Sequence, residues 1–496
     1  MVRYVSTRNA KTVVSSHEAV IAGLAPDGGL YTPLLNEDIH VDPAGLLNCS
    51  YKEQAAKIIS VLFDDYSEDQ IRQCAEKAYD AKFAADDIVP LRKFDGGWLM
   101  ELWHGPTSAF KDIALTILPH LLTAAYQMDH RNDTVAILTA TSGDTGKAAL
   151  SGFADVANTA ITVFYPEVGV SKIQKRQMQT STGNNVEVIA VKGNFDDCQK
   201  MVKEAVSSPL VKKACRNVTI SSANSINIGR LVPQIVYYYH AYSELVNSGV
   251  IACGEEINFS VPTGNFGDIL AGYLARCLGL PVGRLICASN KNHVLTDFIR
   301  TGTYDIKRPF HTTMSPSMDI LVSSNLERLL FMLSGNDDTL ISNLMTRLKE
   351  NGVYTVSEDM QKKIASLFSA YWTDEEECAE TIRSLYDKDR ILIDPHTAVG
   401  LSAMYRYQEE SGDHRPCVVL STASPYKFSG DVYRSLGNEK EDDDWQAMQK
   451  LHDLTNVEIP ENLAGLYDLP VRFTRSINIE DGMKAIAAKM EELSHD

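Results

Sequence analysis

Apolar residues fall at helical spacing in residues 53–66 (EQAAKIISVLFDDY) and 68–83 (EDQIRQCAEKAYDAKF), so the chain up to about Phe94 reads as a mixed, mostly helical unit. Short β-branched runs then alternate with helical stretches. TVAILTA precedes GDTGKAALSGFADVA, AITVFYP follows, VEVIAV precedes DDCQKMVKEAV, INFSVP precedes GDILAGYLARCLG, and RLICASN comes next. Continuous apolar strands separated by helices predict parallel sheets with crossover connections. Residues 323–386 read as mostly helical, after which RILIDPH and CVVLSTAS restore the strand pattern, the later one rejoining the same sheet. The tail is acidic, then gives LPVRFTRSINIE and an amphipathic helix near 481–493. The expected organisation is an N-terminal unit over 1–95, a large unit over 96–135 and 236–496 with a helical insertion at 323–386, and a small mobile α/β unit over 136–235.

Composition narrows the partners. With 496 residues, 44% of them hydrophobic, the chain can bury a large core of two to four units. Its net charge of -18 repels a phosphate backbone and argues against nucleic acid, although a local cationic cleft can still attract a small anion. The nine cysteines have no metal-ligand spacing, so buried thiols in a reducing compartment are expected, with no metal. The first residues lack an apolar core and no run approaches bilayer length, which predicts a cytosolic protein without membrane contact.

Four segments carry candidate chemistry. In Trp103-His-Gly-Pro-Thr-Ser-Ala-Phe-Lys111-Asp, a lysine opens an apolar helix. Partial desolvation beside other cations lowers a lysine pKa and frees the neutral amine that Schiff-base chemistry requires. Thr139-Ala-Thr-Ser-Gly-Asp-Thr-Gly146 joins a strand to a helix and gathers amides and hydroxyls into a site for a carboxylate or a phosphate. It is not a P-loop, since Ala148 and Thr141 stand where Ser/Thr and Gly are needed. Pro262-Thr-Gly-Asn-Phe-Gly-Asp268 has the same setting, and its two glycines let backbone approach a phosphate monoester. Leu420-Ser-Thr-Ala-Ser-Pro-Tyr-Lys-Phe428 follows the strand CVVL.

Together these segments resemble the β-family, fold type II, of pyridoxal-phosphate enzymes, and HGPTSAFKD resembles threonine synthases in particular. LAPDGGLYTP, NSINIGRLVPQ, SPSMDILVSSNLERLL and DPHTAVG extend the resemblance over nearly the whole chain. It implies a tryptophan-synthase-β-like α/β fold, and pyridoxal 5'-phosphate bound as a Schiff base on Lys111. Gly264, Asn265, Phe266, Gly267 and Asp268 would form the cup for the cofactor phosphate, and Thr422 would bond the pyridine nitrogen. Thr141, Ser142 and Thr145 would receive the substrate carboxylate. Asp144 stands where many relatives have asparagine, and its charge would repel the cofactor's 3'-oxygen unless paired or protonated. Ser225, Asn227 and Arg230 are candidates for the substrate phosphate, because a guanidinium fork suits it.

Lys172 and Arg176 suit a solvated helix face better, His104 and His396 fit a structural as well as an acid/base role, and Asp319 and Glu327 suit capping or surface pairing. The implied reaction converts the small molecule O-phospho-L-homoserine and water to L-threonine and phosphate, in a monomer or homodimer. Rivals are a serine/threonine dehydratase or cysteine-synthase-like enzyme of the same family, a non-catalytic phospho-ligand binder, and a nucleotide- or NAD-binding protein suggested by the α/β pattern alone.

Overall fold

The computed structural model describes residues 1–494 apart from 142, 169 and 440, and the side chains of 195, 196, 206 and 207 are outside the description. Two sheets organise it. The larger runs in the order Phe368–Trp372, Val282–Ser289, Ile257–Pro262, Cys417–Ser421, Gly97–Glu101, Leu91–Phe94, and every pairing is parallel except the last hairpin. Alternate residues enter opposite cores: Val418 and Leu420 pack into one cluster with Phe259 and Val261, and Cys417 and Val419 into another with Ile286 and Leu401. Burial on both faces is why these strands read as unbroken apolar runs.

The second sheet is wholly parallel, in the order Ser476–Asn478, Val186–Lys192, Thr159–Pro166, Thr134–Ala140, Val218–Ser221. The N-terminal helices Ser16–Ala22, Tyr51–Leu62 and Glu68–Ala78 each start at a serine capping box, Ser15, Ser50 and Ser67. They share their core with the large sheet. A three-stranded antiparallel sheet, Tyr4–Ser6 with Asn9–Val14 and Tyr31–Pro33, accompanies them.

Several elements depart from the pattern reading. RILIDPH forms no strand: Asp394 caps the helix Pro395–Ser411 and ends the extended run. Within 323–386, Phe368–Trp372 is an edge strand of the large sheet. The tail strand Ser476–Asn478 pairs with Ala190, Val191 and Lys192 of the second sheet, and Ile486 and Met490 of the helix Gly482–Leu493 fill that sheet's core. Residues 476–493 therefore side with the second sheet rather than with the rest of 236–496. All nine cysteines are free, and Cys253 and Cys277 are exposed rather than buried. Among the described residues no helix is long and apolar enough to cross a membrane.

Candidate active site

Strand ends from both sheets deliver the chemistry-bearing loops, as is usual for ligand sites in parallel α/β folds. Lys111 opens the helix Lys111–Met128. The segment before it runs antiparallel to the loop after Cys417–Ser421: Ala109 bridges Ala423, Phe110 N donates to Thr422 O at 2.8 Å, and Ser424 N donates to Ser108 O at 3.1 Å. Thr422 and Lys111 are thereby held by one ladder. Asp112 anchors the turn from within, accepting from Thr107 N at 2.9 Å and Thr107 Oγ1 at 2.6 Å. Any side chain at Gly105 would meet Asp112 Cβ at 2.6 Å, so this tight turn requires glycine. Burial pushes the Asp112 carboxyl up to about 6.

The Lys111 ammonium lies 3.4 Å from Ser317 Oγ, 3.7 Å from Asp144 Oδ2 and 5.1 Å from the centre of the Phe110 ring. Burial lowers its pKa, Asp144 opposes this, and Lys427 and Arg230 push it down further. Asp144 is anchored in turn by Lys427 Nζ at 2.6 Å and Gln174 Nε2 at 2.8 Å. Burial disfavours its charge, but Lys427 and Lys111 override this and hold the carboxyl well below its ordinary range. Asp144 is thus an ionised, fully paired group, which answers the repulsion anticipated from the sequence.

In the loop before it, Thr141 Oγ1 accepts from Gly143 N at 3.0 Å and Gly146 N at 2.9 Å, and donates to Gly143 O at 3.1 Å. That hydroxyl shapes the loop through three contacts with its own backbone. Thr145, half-buried, remains available, while Ser142 lies outside the described residues. A Cβ at Gly143 would meet the Gln174 amide at 2.5 Å, so glycine admits Gln174 to Asp144.

At the third loop, Phe266 takes a left-handed φ of 59°, which turns the backbone into the helix Gly267–Cys277 and leaves its first amides unpaired within the helix. Asn265 is exposed; its carbonyl and that of Gly264 are tied down by Asn325 and Ser323. The Asp268 side chain has protein partners of its own. Its carboxyl accepts from the Tyr237 and Tyr238 hydroxyls, and burial raises it to about 7, so only its main chain suits an anion.

Arg230 is buried, gives Nη1 to Ala223 O at 2.9 Å, and its Nε has no hydrogen-bond partner among the described residues. Ser225 sits beside the start of Gly267–Cys277, where its carbonyl accepts from Asn325 Nδ2. Asn227, by contrast, spends its side chain on Val20 O, Ser222 O and Gly229 N and so caps the helix Ile228–Leu231.

The pyridoxal-phosphate-dependent enzyme family model matches residues 88–423, with the threonine synthase N terminus at 3–79 and the threonine synthase C-terminal region at 397–486. A threonine synthase of Pseudomonas aeruginosa is 41% identical over 86% of this chain and 88% of its own length. The chain belongs to the threonine synthase family. Among solved structures, the pyridoxal-phosphate-bound threonine synthase of Brucella melitensis is 35% identical over 100% of both chains, with a TM-score of 0.86. The yeast threonine synthase is 31% identical over 99% of each chain, with a TM-score of 0.87. The fold is therefore fold type II, and the family's cofactor is pyridoxal phosphate.

The residues present fit that group: a buried amine at Lys111, a loop at 264–268 that leads into a helix with its first amides unpaired, and Thr422 laddered to the lysine segment. Other candidates have structural partners. His104 Nε2 pairs with Glu101 at 2.8 Å. Asp319 accepts from Asn290, Asn292 and Thr313. Glu327 takes a bidentate pair from Arg8, joining the N-terminal segment to the helix Leu326–Leu333. Lys172 is solvated as expected, but Arg176 holds the carbonyls of Leu466, Tyr467 and Leu469 and so secures the tail. Lys427 and Ser317 lie within the motif segments but carry no local signal of a role, and no pattern in the chain distinguishes Gln174.

Proposed function

We propose that this chain converts O-phospho-L-homoserine and water to L-threonine and phosphate, with Lys111 as the amine that holds the cofactor and moves protons. The carrying observation is the Lys111 amine, largely buried, with a depressed pKa and two partners, Ser317 and Asp144. When bound, pyridoxal phosphate supplies an electron sink that makes hydrogens at the substrate α- and β-carbons removable. Lys111 takes the proton at the α-carbon and returns one there. Gly264, Asn265, Phe266, Gly267 and the main chain of Asp268 hold the cofactor phosphate, and Thr422 meets the pyridine nitrogen with a neutral hydroxyl. Thr145 and the amides of its loop receive the substrate carboxylate, and Ser225 and Arg230 receive the substrate phosphate. Asp144, neutralised by Lys427, keeps a negative charge near the amine without leaving that charge unpaired.

The test offers phosphohomoserine and threonine to separate samples of the protein. Equal release of phosphate and threonine from the first, with no ammonia from the second, supports the reading. Ammonia from threonine without phosphate release would convert the assignment to a dehydratase. Borohydride reduction followed by peptide mapping checks that the cofactor is attached at Lys111.

A further inference from the structure

We propose that Asp394 and His396 form a positioning relay that holds Ser317 as a neutral seat sharing the Lys111 amine with Asp144, so that the carboxylate does not hold the amine alone between proton transfers. The inference rests on the reading of Lys111 as the attachment amine. Asp394 Oδ2 faces His396 Nδ1 at 2.6 Å, and both side chains are fully buried. His396 Nε2 faces the main-chain N–H of Ser317 at 3.1 Å. A main-chain N–H can only donate, so Nε2 is the bare nitrogen and Nδ1 carries the proton to Asp394. The ring is thereby fixed as one neutral tautomer.

Capping of the helix Pro395–Ser411 accounts for Asp394 but not for the histidine, whose ring reaches a turn 79 residues earlier in the chain. That turn, Pro316–Met318, touches two parts of the site at once. Ser317 Oγ takes the Lys111 ammonium at 3.4 Å, and Ser317 O lies 2.7 Å from where a Cβ on Gly264 would stand. Phe428 packs edge-on to the His396 ring at 4.9 Å, next in sequence to Lys427, the partner of Asp144. Moving His396 would therefore loosen both anchors of Lys111.

The charge logic gives the seat its purpose. Lys111 is faced by Asp144, Lys427, Arg230 and Asp268, and Asp144 is the strongest influence holding it protonated. An amine bonded to a carboxylate is a poor base, because the charge-assisted hydrogen bond stabilises the ammonium. The Ser317 hydroxyl, which contacts the same amine position as Asp144, competes for the amine without that penalty. Without Ser317, or without the relay that aims it, the amine settles on Asp144 and its pKa rises.

The experiment follows attachment of pyridoxal 5'-phosphate to the full-length protein after cofactor removal, by absorbance across pH. A bond forms between Nζ and the aldehyde carbon, and water leaves. In Ser317→Ala and His396→Leu the pH midpoint for attachment moves up by about one unit, which slows attachment at neutral pH about tenfold. In His396→Gln, whose carbonyl can accept the same N–H, the midpoint returns most of the way. A second measurement on the holoenzyme follows exchange of the threonine α-proton into deuterium oxide, and its midpoint shifts in parallel. Midpoints unchanged or lowered in Ser317→Ala overturn the relay, even if His396→Leu melts earlier, because a merely structural histidine would move melting alone. Absence of attachment in the unaltered protein would instead remove the Lys111 reading and the relay with it.

Discussion

Lys427 makes no bond that chemistry requires, yet its ammonium is fully buried, 2.6 Å from Asp144 and 3.0 Å from Thr107 O. It neutralises a carboxylate that burial would otherwise expel, and it braces the turn that sets Lys111. Removing one member of a buried pair leaves the other uncompensated, at a cost of a few kcal/mol. Lys427→Met is expected to lower unfolding stability by about 3 kcal/mol in a denaturant titration and to reduce turnover. Adding Asp144→Asn should recover part of the stability but not the turnover. Were Lys427→Met as stable as the parent, the pair would be decoration. At this scale the lysine opening an apolar helix and the glycine-bearing loop before Gly267–Cys277 were readable in the chain, because each is a local pattern of residue types. The partners of Asn227 and Thr141 were not readable, because polar side chains in loops serve nearby backbone as readily as a ligand, and those of Asp268 were not, because Tyr237 and Tyr238 come from another helix.

Helix contacts carry the next level. The helix Asp144–Phe153 crosses Lys111–Met128 so closely at Gly152 that any Cβ there would collide with Leu115 O. Gly152→Ala is therefore expected to destabilise by about 1–3 kcal/mol despite improved helix propensity, as a thermal melt would show. A stabilised variant would mean that the two helices can separate freely. Elsewhere His17, on the helix Ser16–Ala22, joins Asp65 at 2.6 Å and Asp129 at 3.0 Å, tying that helix to the end of Lys111–Met128. Burial disfavours the imidazolium, but its bonds to Asp65 and then Asp129 raise the pKa above 6.5 overall. A raised value means stabilisation that is full below 6.5 and fades as pH climbs through the folded value. Asp65, lowered despite burial by its bonds to Ser16 and His17, contributes above about 3.8 and loses that contribution in acid. The stability gap between the parent and His17→Gln should be widest at mildly acidic pH and close toward pH 9; a gap constant with pH would contradict this.

Across the whole molecule, the tail closes the second sheet. Ser476–Asn478 covers the edge of Val186–Lys192, and Ile486 and Met490 are buried against Ile189 and Met201. Ile486→Ala is expected to cost about 2–4 kcal/mol and to speed amide exchange in Val186–Lys192 while sparing Ile257–Pro262, as hydrogen-exchange mass spectrometry would resolve. Equal effects on both sheets would show that they unfold as one. The order of residues alone shows the parallel α/β class, the loops after TVAILTA, INFSVP and CVVLS, and a lysine at the entrance of an apolar helix. Each is a local matter, since a doubly covered strand must be apolar throughout and an anion cup must be glycine-rich. It did not determine where the tail pairs, that RILIDPH stays out of a sheet, or that Lys427 and Gln174 meet Asp144. Those follow from which surfaces come together in space, and a hydrophobic period shows that a face is buried without showing what lies against it.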